Sequence, residues 1–203
     1  MSTQKKYKMY ENPIMEFLSI SGPKMMITYH LIIISALLII GIRTLYAVNS
    51  WLLLVGIFVS GLIIWSITEY IMHRFIFHFE RDIKIVKAFH FAMHGYHHEK
   101  PNDTNRLFMP PVPATLILLL FFGLFYLVMG VYAWIFLPGF ELGYLLYSFI
   151  HYSIHTRKAP MPLKDLWHHH ILHHYKTPEK AYGVSSRFWD RVFRTMPENQ
   201  MKK

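Results

Sequence analysis

Hydropathy along the chain falls into four apolar blocks separated by polar segments rich in aromatics. Met25 to Ala47 carries one charge, Arg43, near its far end, and Asn49-Ser50 turns the chain into a second block, Trp51 to Met72. A third runs from Ala114 to about Phe136, where Pro138-Gly139 is expected to break it. The fourth starts at Phe140 and continues through Tyr152 to His155. The first three are long enough, at 1.5 Å per residue, for a hydrocarbon core of roughly 30 Å. The fourth is shorter and is expected to span partly or to begin in the interface. The pattern predicts an all-α integral membrane protein with spans at about 25–47, 51–72, 114–136 and 140–155. These would be two hairpins beneath a cap made of residues 73–113 and 156–203. The prolines at 110, 111 and 113 mark a sharp re-entry before the third span, and Glu141 is expected at the start of the fourth helix, near the positive end of its dipole.

Sidedness follows from Lys and Arg. Twenty of the 21 fall on one side of this layout, and Arg43 alone lies near the first turn. The positive-inside rule puts both termini and the cap in the cytoplasm. The net charge of +9 therefore tracks topology, and no nucleic-acid motif accompanies it. The polar start, MSTQKKYKMYENP, lacks the apolar core of a removable signal peptide. At 203 residues the expectation is one domain, 1–203.

Composition narrows the chemistry. Apolar residues make 53% and charged residues 16%, the balance of a membrane protein. With no cysteine, disulfides and thiolate metal sites are excluded, so any metal must be held by nitrogen or oxygen. Ten of the 14 histidines form four spaced clusters, each where an apolar segment gives way to a charged one. They are His73/His78, His94/His97/His98, His151/His155 and His170/His173/His174. Positions i, i+3 and i+4 share a helix face, so each three-histidine box can converge on one point. The i, i+5 pair His73/His78 would lie roughly 140° apart on a regular helix. Either that segment unwinds, or the two serve different ions. Ten imidazoles are too many for one ion and match two ions with five nitrogens each, or four plus an open position. Such a pair at a lipid surface suits O2 activation beside an acyl chain better than hydrolysis. His30 reads as a packed residue of the first span, and His90 as a residue that bonds a ligand from behind. His168 and His169 extend the last box.

These residues resemble the fatty acid hydroxylase superfamily, and within it the fatty acid (sphingolipid) 2-hydroxylases. The matching segments are EYIMHRFIFH (69–78), HFAMHGYHHEKPNDTNRLFMPP (90–111), GYLLYSFIHYSIH (143–155) and LKDLWHHHILHHYKTPEKAYGVSSRFWDRVF (163–193). The histidine boxes fix the superfamily. The Pro101–Pro111 stretch and the GVSSxxWDxVF ending, Gly183 to Phe193, are more diagnostic. The resemblance implies a four-helix anchor under a cytosolic cap, with all ten clustered histidines as ligands and His170 opening the last box. It implies two iron ions, which zinc often replaces on purification. This chain departs from the family at Tyr147-Ser148, where Tyr-Asp is common, and at Ala181-Tyr182, where Gly-Phe is usual. From its length, the chain is expected to lack the cytochrome b5 domain that many members carry.

The reaction so implied is O2-dependent 2-hydroxylation of a long acyl chain. No dinucleotide fingerprint or haem domain is visible, so an external donor of the cytochrome b5 or ferredoxin type is expected, docking on basic residues such as Arg157, Lys158, Lys164 and Lys176. Tyr147, Tyr152 and Trp167 are candidate walls of the acyl slot. Glu69, Asp165 and Asp190 are candidates for orienting ligand imidazoles. A bacterial inner membrane is favoured over the endoplasmic reticulum. The rivals are another lipid oxidation on the same scaffold (sterol or carotenoid hydroxylation or desaturation) and a metal transporter or store, which needs polar residues in mid-membrane.

Overall fold

Prolines and small polar caps set where the helices begin. In the computed structural model, which describes residues 7–198, Asn12 accepts from the amides of Ile14 and Met15 and opens a short helix, α1 (Pro13–Leu18). A proline in the first turn of α2 (Pro23–Leu45) leaves no helical bond unmade. Ser50 accepts from the Leu53 amide and starts α3 (Trp51–Ile71), which runs directly into a π-helical turn, Met72–Phe77. α4 (Lys84–His90), a second π-helical turn (Phe91–Gly95) and α5 (Tyr96–Glu99) follow one another without a break. The proline cluster opens α6 (Pro111–Met129), and α7 (Ala133–Thr156), α8 (Lys164–Tyr175) and α9 (Phe188–Val192) follow among the described residues. Among the described residues there is no β-strand.

Three stretches are long and apolar enough to cross a membrane: 23–45, 51–77 and 104–156, the last containing both α6 and α7. Their outward faces carry Leu52, Leu127 and Val128 almost fully exposed, the surface a lipid environment requires. The break between α6 and α7 is not at Pro138-Gly139. It lies at Gly130, whose positive φ of 58° ends α6. Pro138 sits in the second turn of α7, where it removes only the bond to the Trp134 carbonyl. That carbonyl faces α2, 2.8 Å from where a side-chain carbon on Gly41 would stand.

Gly139 serves packing instead. A Cβ there would lie 1.9 Å from the Phe58 carbonyl oxygen, and one on Gly61 would lie 2.2 Å from that of Phe136. Of the pair expected to turn the chain, Gly139 thus forms with Gly61 the seam along which α3 and α7 touch backbone to backbone. Glu141 moves with this correction. It lies well inside α7, away from the helix start, and its carboxylate bonds His30 Nδ1 of α2. Both are buried within the apolar stretches, so His30 is more than a packed residue.

At the other end, Arg106 ties the first residues to the cap. It donates to Asp103 at 2.6 Å, to Glu16, to Ser19 Oγ at 3.2 Å and to the Tyr7 carbonyl at 3.3 Å.

Candidate metal centre

The π-helical turn resolves the awkward i, i+5 pair. In it the His78 amide bonds the His73 carbonyl at 3.3 Å, so the wider turn brings the two side chains onto one side. Both then reach the same place. His73, His78, His94, His98 and His173 offer nitrogens that all lie within 4.8 Å of one another. His97, His151, His155, His170 and His174 form a second such group. Each three-histidine box divides between the groups and does not converge on one point. The i, i+4 pairs His94/His98 and His170/His174 stay together, while the i+3 residue, about 60° around the helix from i and 100° from i+4, turns to the other group.

The donor spacing tests whether ions fit. Nε2 atoms approach at 3.0 Å for His73/His94, 2.9 Å for His94/His98 and 3.0 Å for His78/His173. In the second group the pairs are His97/His151 at 2.9 Å, His155/His170 at 2.9 Å and His170/His174 at 3.0 Å. Two nitrogens each 2.1 Å from one ion stand about 3.0 Å apart at a right angle and about 3.4 Å apart at a tetrahedral one. The pairs fit ions with more than four ligands.

Protonation agrees. His73 Nδ1 donates to the Tyr182 carbonyl at 2.5 Å and His173 Nδ1 to the Lys180 carbonyl at 2.8 Å, which leaves each Nε2 as a bare lone pair aimed inward. Burial holds the imidazoles of His94, His97, His170 and His173 well below their ordinary pKa and lowers those of His78 and His98 to about 4, with neighbouring histidines adding to the effect. His174 is pushed down in the same way. Neutral imidazole is the form that binds a metal.

The other candidates fall elsewhere. Glu69 bonds no imidazole: it accepts from the amides of Val184 at 2.7 Å and Ser185 at 2.8 Å, and from the Ser185 hydroxyl. Asp190 accepts from His169 Nε2 at 3.0 Å, which is not among the ten. Asp165 pairs with Arg187 at 3.3 Å on the surface. His90 pairs with Glu80 at 3.3 Å, its ring against Gly95 at the rim of the centre. Tyr152 packs on Phe108, and Trp167 packs with Ile154, Leu166 and Val184, so neither is a wall. Tyr147 is one. Its ring stacks on His151, 5.9 Å between centroids and 8° between planes.

Two clefts meet at Tyr147. A wide one of about 1140 Å³ is bordered by His94, His97 and His151 and by the segment around α1. An apolar one of about 610 Å³ runs between α2, α3, α6 and α7 past Trp65, Leu118, Phe121 and Phe140. Phe77, Met109, Tyr144 and Tyr147 belong to both. Histidine spacing could not reveal the Lys180 and Tyr182 carbonyls. The GVSSxxWDxVF ending was the signal that something nearby matters.

A sequence model described as fatty acid hydroxylase matches residues 58–195. The ceramide very long chain fatty acid hydroxylase scs7 of Schizosaccharomyces pombe is 42% identical over 145 residues, 68% of this chain and 41% of that protein. The fatty acid 2-hydroxylase of Rattus norvegicus is 36% identical over 147 residues, 70% of this chain and 40% of that one. The dihydroceramide fatty acyl 2-hydroxylase FAH2 of Arabidopsis thaliana is 34% identical over 146 residues, 70% of this chain and 62% of its own. The match thus spans about two-fifths of the first two and a little under two thirds of the third. Among solved structures, full-length scs7p with only its hydroxylase domain visible superposes with a TM-score of 0.85 at 29% identity, covering 94% of this chain and 72% of that one. The chain belongs to the fatty acid hydroxylase family.

Proposed function

We propose that this protein carries out O2-dependent 2-hydroxylation of a long acyl chain, carried as a free fatty acid or as the N-acyl group of a ceramide-type lipid. The observation that carries the reading is the junction of the two clefts: histidines of both groups border the wide one, and the apolar one opens from the same aromatic gate. The ten clustered histidines are the proposed ligands of two iron ions, and zinc fits the same nitrogens. Bound there, the ions supply O2 activation and the oxidising power for C–H hydroxylation.

The chain's own residues position and shield. Trp65, Leu118, Phe121 and Phe140 would hold the acyl tail in a water-free slot. Tyr147, flat against His151, would set how close the second carbon comes to the centre. The lysyl and tyrosyl carbonyls at 180 and 182 hold two imidazoles in the ligating tautomer.

We read α2, α3, α6 and α7 as four membrane helices in two hairpins, the whole chain as one domain, and the histidine cap and both termini as cytoplasmic, because Lys and Arg crowd that side. Arg157, Lys158, Lys164 and Lys176 are exposed on the cap, a surface for an acidic electron donor of the cytochrome b5 or ferredoxin type. The expected bacterial inner membrane gains no support from the relatives, which come from a mammal, a yeast and a plant. The test is lipidomics of cells expressing the wild type or His94→Ala. The wild type should yield acyl chains one oxygen heavier, with fragmentation placing the oxygen on carbon 2, and the variant none. Oxygen found at another carbon, or no oxygenated acyl product with the two-ion protein, overturns the proposal.

A further inference from the structure

The two histidine groups are matched in burial, three of five members buried in each, so shielding from water does not separate them. What lies behind the imidazoles does. In the first group, His73 and His173 are both held through Nδ1, by the carbonyls of Tyr182 and Lys180. In the second, His151 has a backbone bond to Leu107, while the Nδ1 atoms of His97, His170 and His174 are buried with no hydrogen-bond partner in the protein.

The two carbonyls belong to one short loop, and that loop is clamped from both sides. Asp190, fully buried, accepts four bonds: from the amides of Tyr182 at 2.9 Å and Gly183 at 2.7 Å, from Thr195 Oγ1 at 2.6 Å and from His169 Nε2 at 3.0 Å. Glu69 of α3 takes the next two amides, Val184 and Ser185. Gly183 admits no side chain, because a Cβ there would lie 2.1 Å from the Ser186 carbonyl oxygen. The loop is therefore a fixed bracket that reaches only the first group.

We propose that the two ions are held unequally, and that Asp190, with Glu69, is the positioning residue that makes the first site the tight one. This deepens the two-ion reading above and rests on it. Carbonyls fixed behind a ligating histidine orient its ring and raise its basicity, and losing such a partner typically weakens a metal about 10- to 100-fold. No ligand changes between the sites. Only the rigidity of what stands behind them does.

The experiment follows metal release from zinc-loaded, detergent-solubilised full-length protein into a chromogenic chelator. The wild type should release two ions in two phases, the slow one at least about 10-fold slower. His155→Ala should remove the fast phase and His78→Ala the slow one. Asp190→Asn should accelerate the slow phase about 10- to 100-fold and leave the fast phase unchanged, which a general loosening of the fold would not do. Glu69→Gln acts on the same loop from the other side and gives the same reading if Asp190→Asn does not fold. Two ions leaving the wild type at one rate, or a variant that speeds both phases alike, overturns the inference and leaves the two-ion proposal standing. Fewer than two ions bound by the loaded wild type overturns both.

Discussion

Two regions of this molecule hold together by opposite means. Along α3 and α7 the contact is made by missing side chains: Gly61 and Gly139 let each backbone reach the other. Around the histidines the contact is made by carboxylates, Glu69 accepting three hydrogen bonds and Asp190 four, all from residues 169–195. The difference reflects the surroundings. Between helices in lipid the apolar driving force is nearly absent, so association depends on how closely backbones approach. The cap contains irregular backbone whose buried N–H groups must all find acceptors. Bulk should therefore break the first region, and protons the second.

The largest effect is expected from bulk. Gly139→Leu drives a side chain into the Phe58 carbonyl, which belongs to backbone and cannot swing aside, so the loss should exceed the roughly 1–3 kcal/mol of ordinary overpacking. Gly123→Leu is the control, since nothing lies within 4 Å of that Cβ on α6. Yield of monodisperse protein and thermal melting in detergent should collapse for the first and hold for the second. Equal behaviour of the two would show that the seam is not what joins the helices.

Protons should act on the cap. Burial lowers the pKa of His78 and His98 to about 4 from an ordinary 6.5, so the folded cap keeps them neutral while the unfolded chain protonates them. Their contribution is complete above pH 6.5 and is lost as the pH falls from 6.5 towards 4. In chelated, metal-free protein, hydrogen exchange across α8 and residues 180–195 should quicken through that window while α3 and α7 stay protected. With metal bound, acid should release it over the same range. A cap that exchanges no faster at pH 4.5 than at pH 7 contradicts this picture.

How far the sequence announced all this differs between the two regions as well. The first two long helices were legible, 25–47 and 51–72 against the observed 23–45 and 51–71, because Asn49-Ser50 is a polar break and Ser50 a cap. The later pair was misplaced because a proline in the second turn of a helix and a packing glycine carry the same signature as a turn. Gly130, which does turn the chain, stands in LVMGVYAW with no polar neighbour. The histidines were legible as a set from their spacing. Their sorting into two groups was not, since a one-position shift on a helix decides which way an imidazole points and a π-helical turn resets the count. The bracket behind the first group was the least legible part. It works through backbone carbonyls, and those carry no residue code.

The smallest expected effect sharpens the contrast at one backbone angle. Both regions contain a residue of positive φ just past a helix: Gly130 after α6, at φ 58°, and Arg194 after α9, at φ 57°. In the cap the arrangement is a Schellman motif, with the Thr195 amide bonded to the Asp190 carbonyl at 2.8 Å and the Arg194 amide to that of Arg191 at 3.4 Å. Glycine fits that position without strain, whereas a side chain there costs about 1–2 kcal/mol. Arg194 is exposed, so replacing it sacrifices no buried contact. Greater freedom of the unfolded chain takes back about 0.4–1 kcal/mol. Arg194→Gly should then stabilise the cap by roughly 0.5–1 kcal/mol, read as a small rise in the melting temperature. Gly130→Ala should move it the other way and by more, because at ψ −135° Gly130 lies outside the left-handed helical region, where backbone is open essentially to glycine alone. A melting temperature that falls for Arg194→Gly would mean that the arginine makes a contact worth more than its strain, and the cap would then depend on side chains even where it ends a helix.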